Sequence, residues 1–113
     1  LPSALLIELY HLVLELTTRI EKGNFEGKTL TLKIKYADFK QITRSITGRK
    51  LLKTKDDILP LAKRLLHLVH YDNAHAIRLM GLSVSNPGGE DGDAAPEWIQ
   101  LELEFKEDKR GRR

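Results

Sequence analysis

Across residues 28–55 stand nine basic residues, Lys28, Lys33, Lys35, Lys40, Arg44, Arg49, Lys50, Lys53 and Lys55, against one acid, Asp38. Ammonium and guanidinium groups gathered on one surface are the footprint of a phosphate-backbone binder. Lysines that keep a sheet edge from aggregating produce the same composition. A second set suited to phosphate is Gly81, Ser83 and Ser85, which alternate along IRLMGLSVSN. Small residues let another backbone come close, and hydroxyl and main-chain N–H groups can donate to it. The plain alternative is that Gly81 only relieves crowding beside a neighbouring strand.

Other chemistries find less support. The chain has no cysteine, which excludes thiolate catalysis and disulfide stapling. His67, His70 and His75 fall close together, yet no carboxylate or thiol stands at a convincing third and fourth ligand spacing, so no metal is expected. Asp56 and Asp57 are adjacent and would point in different directions on a helix. Complementing the helix dipole accounts for them better than an acid pair does. No carboxylate trio for two-metal phosphoryl transfer can be picked out.

These groups need a scaffold, and the stretch 29–47 supplies its centre. Leu30, Leu32, Ile34 and Tyr36 fall on even positions while Thr29, Thr31, Lys33 and Lys35 fall on odd ones, the pattern of a half-buried strand. After a break at Ala37 and Asp38 the chain returns from Phe39 to Thr47, which predicts a hairpin with room for a bulge in the second strand. Before it, Leu5, Leu6, Leu9, Leu12, Val13, Leu16 and Ile20 recur at threes and fours, a helix with one apolar stripe ended by Gly23 and Asn24. After it, Thr54 and Asp57 form a capping box with a shorter acid than usual. A helix to about His70 follows, with Ile58, Leu61, Leu65, Leu66, Leu68 and Val69 as its stripe, and Pro60 either kinks it or starts its main part. Residues 76–85 predict another strand, with Met80, Leu82 and Val84 on one face and Ile77, Leu79, Gly81, Ser83 and Ser85 on the other.

The remaining chain changes character. Residues 86–105 hold six acids, Glu90, Asp91, Asp93, Glu97, Glu102 and Glu104, and no base. Within them 87–96 reads as an acidic linker, and 97–105 alternates again, Ile99, Leu101, Leu103 and Phe105 against Trp98, Gln100, Glu102 and Glu104. The charged tail 106–113 is expected to be disordered. At 113 residues one domain is expected. No apolar run is long enough to span a bilayer, and Glu8, His11 and Glu15 argue against a signal peptide, so a soluble, membrane-free protein is expected.

TLTLKIKYADF, then QITRS, then Thr54-Lys55-Asp56-Asp57 opening a helix, then IRLMGLSVSN, arrive in an order that resembles the little-finger domain of Y-family translesion DNA polymerases, nearest to the bacterial DinB-like branch. The resemblance covers residues 5–86. It implies an α+β fold, an antiparallel sheet of about four strands with two helices on one face and DNA on the other. The family's leading strand is absent, and the C-terminal strand is free to take its place beside residues 76–85. Residues 1–86 would then be the DNA-binding domain, in a bacterial cytoplasmic enzyme whose catalytic domain, with its magnesium, lies elsewhere; this piece would carry no active site and no cofactor. The residues implied as DNA-binding are Lys33, Lys35, Thr43, Arg44, Ser45, Arg78, Gly81, Ser83 and Ser85, contacting primer-template backbone without reading sequence.

Polymerases resembling this one often end in a short peptide that begins with Gln and docks into a hydrophobic cleft of the sliding clamp. QLELEF fits it, making Gln100, Leu101, Leu103 and Phe105 the implied clamp-binding residues. A plain amphipathic strand has the same alternation. The implied state is a monomer or a strand-exchanged dimer. A stand-alone interaction module working through the sheet edge is the second functional reading. An RNA-binding sheet of the RRM type is third, because no aromatic stacking platform is evident on the outward strand positions.

Overall fold

The computed structural model describes residues 3–23, 27–69, 77–86 and 98–102. In chain order these form α1 (Ser3–Gly23), β1 (Thr29–Tyr36), β2 (Gln41–Thr47), α2 (Lys55–His67), β3 (Ile77–Ser85) and β4 (Ile99–Glu102). The strands make one antiparallel sheet in the order β2-β1-β3-β4. The linker 87–96, the tail 106–113 and the side chains of His70, His75, Leu103 and Phe105 lie outside the described residues.

The α+β expectation is borne out, and the reason is visible in β1. Its even residues Leu30, Leu32, Ile34 and Tyr36 are all buried, and they meet Leu5, Leu9, Leu12, Val13, Leu16 and Ile20 of α1 and Ile58, Ala62, Leu65 and Leu66 of α2 in one core. α1 lies over β3 and β4 while α2 lies over β1 and β2, so both helices occupy the same side of the sheet. Truncating a leucine in so closed a site to alanine costs about 2–5 kcal/mol. β4 fills the outer edge of β3, pairing Leu79 with Glu102 and Leu82 with Ile99, and Ile99 is 3 % exposed, so the C-terminal segment contributes to the core. Covering a bare edge in this way removes a template for aggregation.

Several details differ from the sequence reading. The β1–β2 register runs unbroken from Thr29↔Thr47 to Lys35↔Gln41, and the irregularity sits instead between β1 and β3, at Lys35/Tyr36. That shift places Ile77 opposite Tyr36 and buries it completely, so Ile77 belongs to the core and not to the open face. Leu68 is 61 % exposed, because the helix has ended at His67 and the chain turns away. α2 is one helix with Pro60 inside it; Pro60 withholds the N–H that would have bonded the Asp56 carbonyl, and its ring is on the exposed side. Gly27 stands where the chain enters β1, and a Cβ there would collide with the Ser85 carbonyl at the end of β3.

The hairpin loop is also tighter than expected, since Phe39 belongs to the turn and not to β2. The Tyr36 N–H donates to the Lys40 carbonyl at 2.8 Å and the Phe39 N–H donates to the Tyr36 carbonyl at 2.8 Å, closing a three-residue loop over Ala37, Asp38 and Phe39. Such loops end on a residue in the left-handed region, usually glycine. Here Phe39 takes it, at φ 70°, a conformation that costs an L-residue roughly 1–2 kcal/mol. The Asp38 carboxylate accepts from the Lys40 N–H at 3.1 Å and fixes the turn from its other side.

The start of α2 carries a pH-dependent staple. The Thr54 hydroxyl accepts from the Asp57 N–H at 3.3 Å, and Asp57 Oδ2 accepts from the N–H groups of Lys53 and Thr54 at 3.1 and 3.2 Å. Lys50 Nζ lies 3.2 Å from Asp57 Oδ1. The Lys53 and Thr54 amides, followed by the Lys50 ammonium, hold the Asp57 carboxyl down at about 2. A carboxyl lowered by folding stabilises the fold above its unfolded value, about 3.9, and loses that contribution as pH falls through the folded value. Asp57→Asn should therefore be less stable than wild type at pH 7, with the gap closing between about pH 4 and pH 2 in denaturant titrations. A gap that is the same at pH 7 and pH 2 would show that the charge on Asp57 contributes nothing.

Candidate nucleic-acid interface

Because β1 is paired on both sides, its odd residues define rows that run across the sheet on the face opposite the helices. Thr29 lies between Thr47 and Ser85, Thr31 between Ser45 and Ser83, Lys33 between Thr43 and Gly81, and Lys35 between Gln41 and Leu79. One end of this face is a field of hydroxyls and the other carries cations. The hydroxyls pair across β1 and β2, Thr29 Oγ1 with Thr47 Oγ1 at 2.9 Å and Thr31 Oγ1 with Ser45 Oγ at 2.8 Å. Neither helix packs on this side.

Of the residues read from the sequence as DNA-binding, seven share this face: Lys33, Lys35, Thr43, Ser45, Gly81, Ser83 and Ser85. Arg44 does not. It is the register partner of Leu32 and so has the parity of Ile42 and Ile46, towards the helix side of an edge strand; it is exposed, and its Nη1 donates to the Thr43 carbonyl at 2.8 Å. Arg78 stands at the β1–β3 irregularity, exposed, with its Cζ 4.8 Å from the centre of the Phe39 ring, and Lys35 Nζ is 5.6 Å from the same ring. The turn thus gathers two cations at the basic end of the sheet.

Sequence reasoning missed two aromatics. Trp98, just before β4, holds Lys33 Nζ 4.4 Å from its ring centre. β3 lies between β1 and β4, so this contact bridges across β3 on the open face, where Gly81 and Ser83 stand. Ser83 is accordingly only 2 % exposed, and its hydroxyl has no hydrogen-bond partner among the described residues. The expectation of a solvent-facing Ser83 is corrected by this cover. Neither ring stands on a strand position, yet Trp98 and Phe39 both meet the lysines of β1. The signal for Trp98 was its parity with Gln100, but the face it would take depended on where β4 docks. Burial, and then the neighbouring charge of Lys35, lowers the pKa of the Lys33 ammonium from its ordinary value.

Among the described residues no group of three His, Cys, Asp or Glu could hold a metal ion, and His67 is exposed. Among the same residues no helix is long and apolar enough to cross a membrane. Among the described residues the face presents cations, hydroxyls and aromatic rings.

The domain is thus a four-stranded antiparallel sheet with two helices on one face and lysines and hydroxyls on the other. Residues 2–103 match the C-terminal domain of the impB/mucB/samB family, and the chain belongs to that family. Over 105 residues, 93 % of the chain, it is 51 % identical to a DNA polymerase IV of Bacteroides fragilis, of which it spans 29 %. It is 43 % identical over 91 residues, 80 % of the chain and 25 % of the relative, to a DNA polymerase IV of Akkermansia muciniphila. A DNA polymerase IV of Leptospira interrogans is 38 % identical over 95 residues, 79 % of the chain and 26 % of the relative. The chain therefore spans less than a third of the length of these relatives, and the resemblance to a DinB-like polymerase C-terminal domain is borne out.

Proposed function

We propose that this chain is the DNA-gripping part of a bacterial, error-prone DNA-directed DNA polymerase that copies past lesions, working in the cytoplasm. The observation that carries the reading is the sheet face opposite the helices, on which Lys33, Lys35, Thr43 and Ser45 stand in register, with Arg78 at its basic end. Ammonium and hydroxyl groups contact phosphate and sugar and carry no sequence information. A grip of this kind holds primer-template DNA whatever bases, damaged or not, pass beneath it. Nucleotidyl transfer and its magnesium are assigned to the remainder of such an enzyme. The names of the relatives support the polymerase assignment, and the sheet face supports DNA as the partner.

The 113-residue chain is expected to bind duplex DNA weakly, without sequence preference and with strong salt dependence. Each phosphate neutralised adds roughly 0.9 to the slope of log K against log salt. Lys33→Ala with Lys35→Ala should therefore lower the magnitude of that slope by roughly 1.8, whereas Arg44→Ala, on the other parity, should change it less. An unchanged slope in the double variant would remove the sheet face from the account. Absence of binding even at low salt would favour the second reading, an interaction module that uses the sheet edge.

The segment from Gln100 has two partners in this proposal. In the chain by itself Gln100 pairs with Gly81 and Leu101 with Met80, as part of β4. In the intact enzyme residues 100–102 leave the edge and QLELEF docks on the sliding clamp as an extended peptide, the mode in which alternate side chains enter pockets. Purified clamp should capture the wild-type chain and fail to capture Gln100→Ala with Leu103→Ala. Equal capture of both would discard the docking role and leave the segment as a strand only.

A further inference from the structure

Phe39 is an anomaly of placement. The turn position it fills is one where glycine or asparagine sits without strain, yet its φ is 70° and 65 % of the residue is exposed, so neither the turn nor the core calls for a ring there. What the ring does meet is charge, with Arg78 Cζ at 4.8 Å and Lys35 Nζ at 5.6 Å from its centre. The same pairing recurs at Trp98, half-buried, with Lys33 Nζ at 4.4 Å. Two rings of different origin, one from a hairpin turn and one from the start of the last strand, are thus brought to consecutive lysines of a single strand face.

We propose that Phe39 and Trp98 are stacking stations for unpaired DNA bases, so that the open face takes a single-stranded segment as well as duplex backbone. The proposal rests on the DNA-gripping reading and names a more specific ligand for the same face. Proteins that hold single strands without reading sequence combine a cationic track for the phosphates with aromatic rings for successive bases, and cations on the rings add to the attraction. This face has both parts. Lys33 and Lys35 are two residues apart on β1, about 7 Å by strand geometry, so the two rings meet the strand at separate positions. In duplex DNA the bases are already stacked on one another. An unstacked single strand has free base faces to offer to both rings, and a duplex does not.

The chain has one tryptophan, so Trp98 reports on its own contact. Titration of the 113-residue chain with a short oligothymidylate should quench Trp98 fluorescence, and fluorescence anisotropy of labelled oligonucleotide should show single-strand binding. Phe39→Asn removes the ring but keeps a residue that tolerates the turn; it should weaken single-strand binding by about tenfold, with no fall in unfolding midpoint. Trp98→Ala should weaken single-strand binding by a comparable factor, Trp98→Phe should restore most of it, and duplex affinity should change little in any of the three. If Phe39→Asn and Trp98→Ala bind the single strand as wild type does while duplex binding persists, the stacking stations are disproved and the backbone grip stands. If neither single strand nor duplex binds wild type at low salt, the grip reading falls and this inference falls with it.

Discussion

The structure depends on β1 being paired on both of its edges. A strand with β2 on one side and β3 on the other has only two directions left for its side chains, and strict alternation sends Leu30, Leu32, Ile34 and Tyr36 to the helices and Thr29, Thr31, Lys33 and Lys35 to the opposite face. The core and the candidate interface are therefore two sides of the same eight residues. A one-residue slip in β1 would bury two lysines and expose four core side chains at once. That cost protects the register, and the register is what lines up Lys33 with Thr43 and Lys35 with Gln41. Gly27 adds a stop at the entrance to the strand, where the Ser85 carbonyl leaves no room for a side chain.

What could be read from the sequence follows from how local each feature is. The alternation of β1, the stripe of α1 and the Thr54–Asp57 cap are set by neighbours within four residues, and all three are found as expected. The misreadings concern relations between distant segments. Ile77 changes face because of an irregularity at Lys35/Tyr36, which no pattern within 77–85 announces. Arg44 shares the basic, polar look of Thr43 and Ser45, yet one step of parity sends it to the other side of the sheet. Phe39 looked like the first residue of a strand, since a bulky aromatic is a poor guess for a left-handed turn position. Trp98 could be given a parity but no face until the place of β4 was known. Positions that break a local rule without an evident packing gain, as Phe39 does, are where function is most reasonably sought.

β4 couples the interface to the chain's own end. It covers the edge of β3, places Ile99 in the core, and sets Trp98 over Lys33 across β3. Among the described residues β4 pairs over four positions and places Ile99 in the core. Departure of this segment from the edge would take Trp98 off Lys33. Occupancy of the edge and the state of the cationic face are consequently not independent.

The central claim is that the strand face opposite the helices, and no other surface, meets DNA. Amide chemical-shift mapping of the 113-residue chain with a short duplex tests it residue by residue. The account predicts that the largest shifts fall in β1, β2 and β3, centred on Lys33, Lys35, Thr43 and Ser83, with α1 silent. Shifts concentrated on α1 and α2, with β1 unmoved, would contradict it.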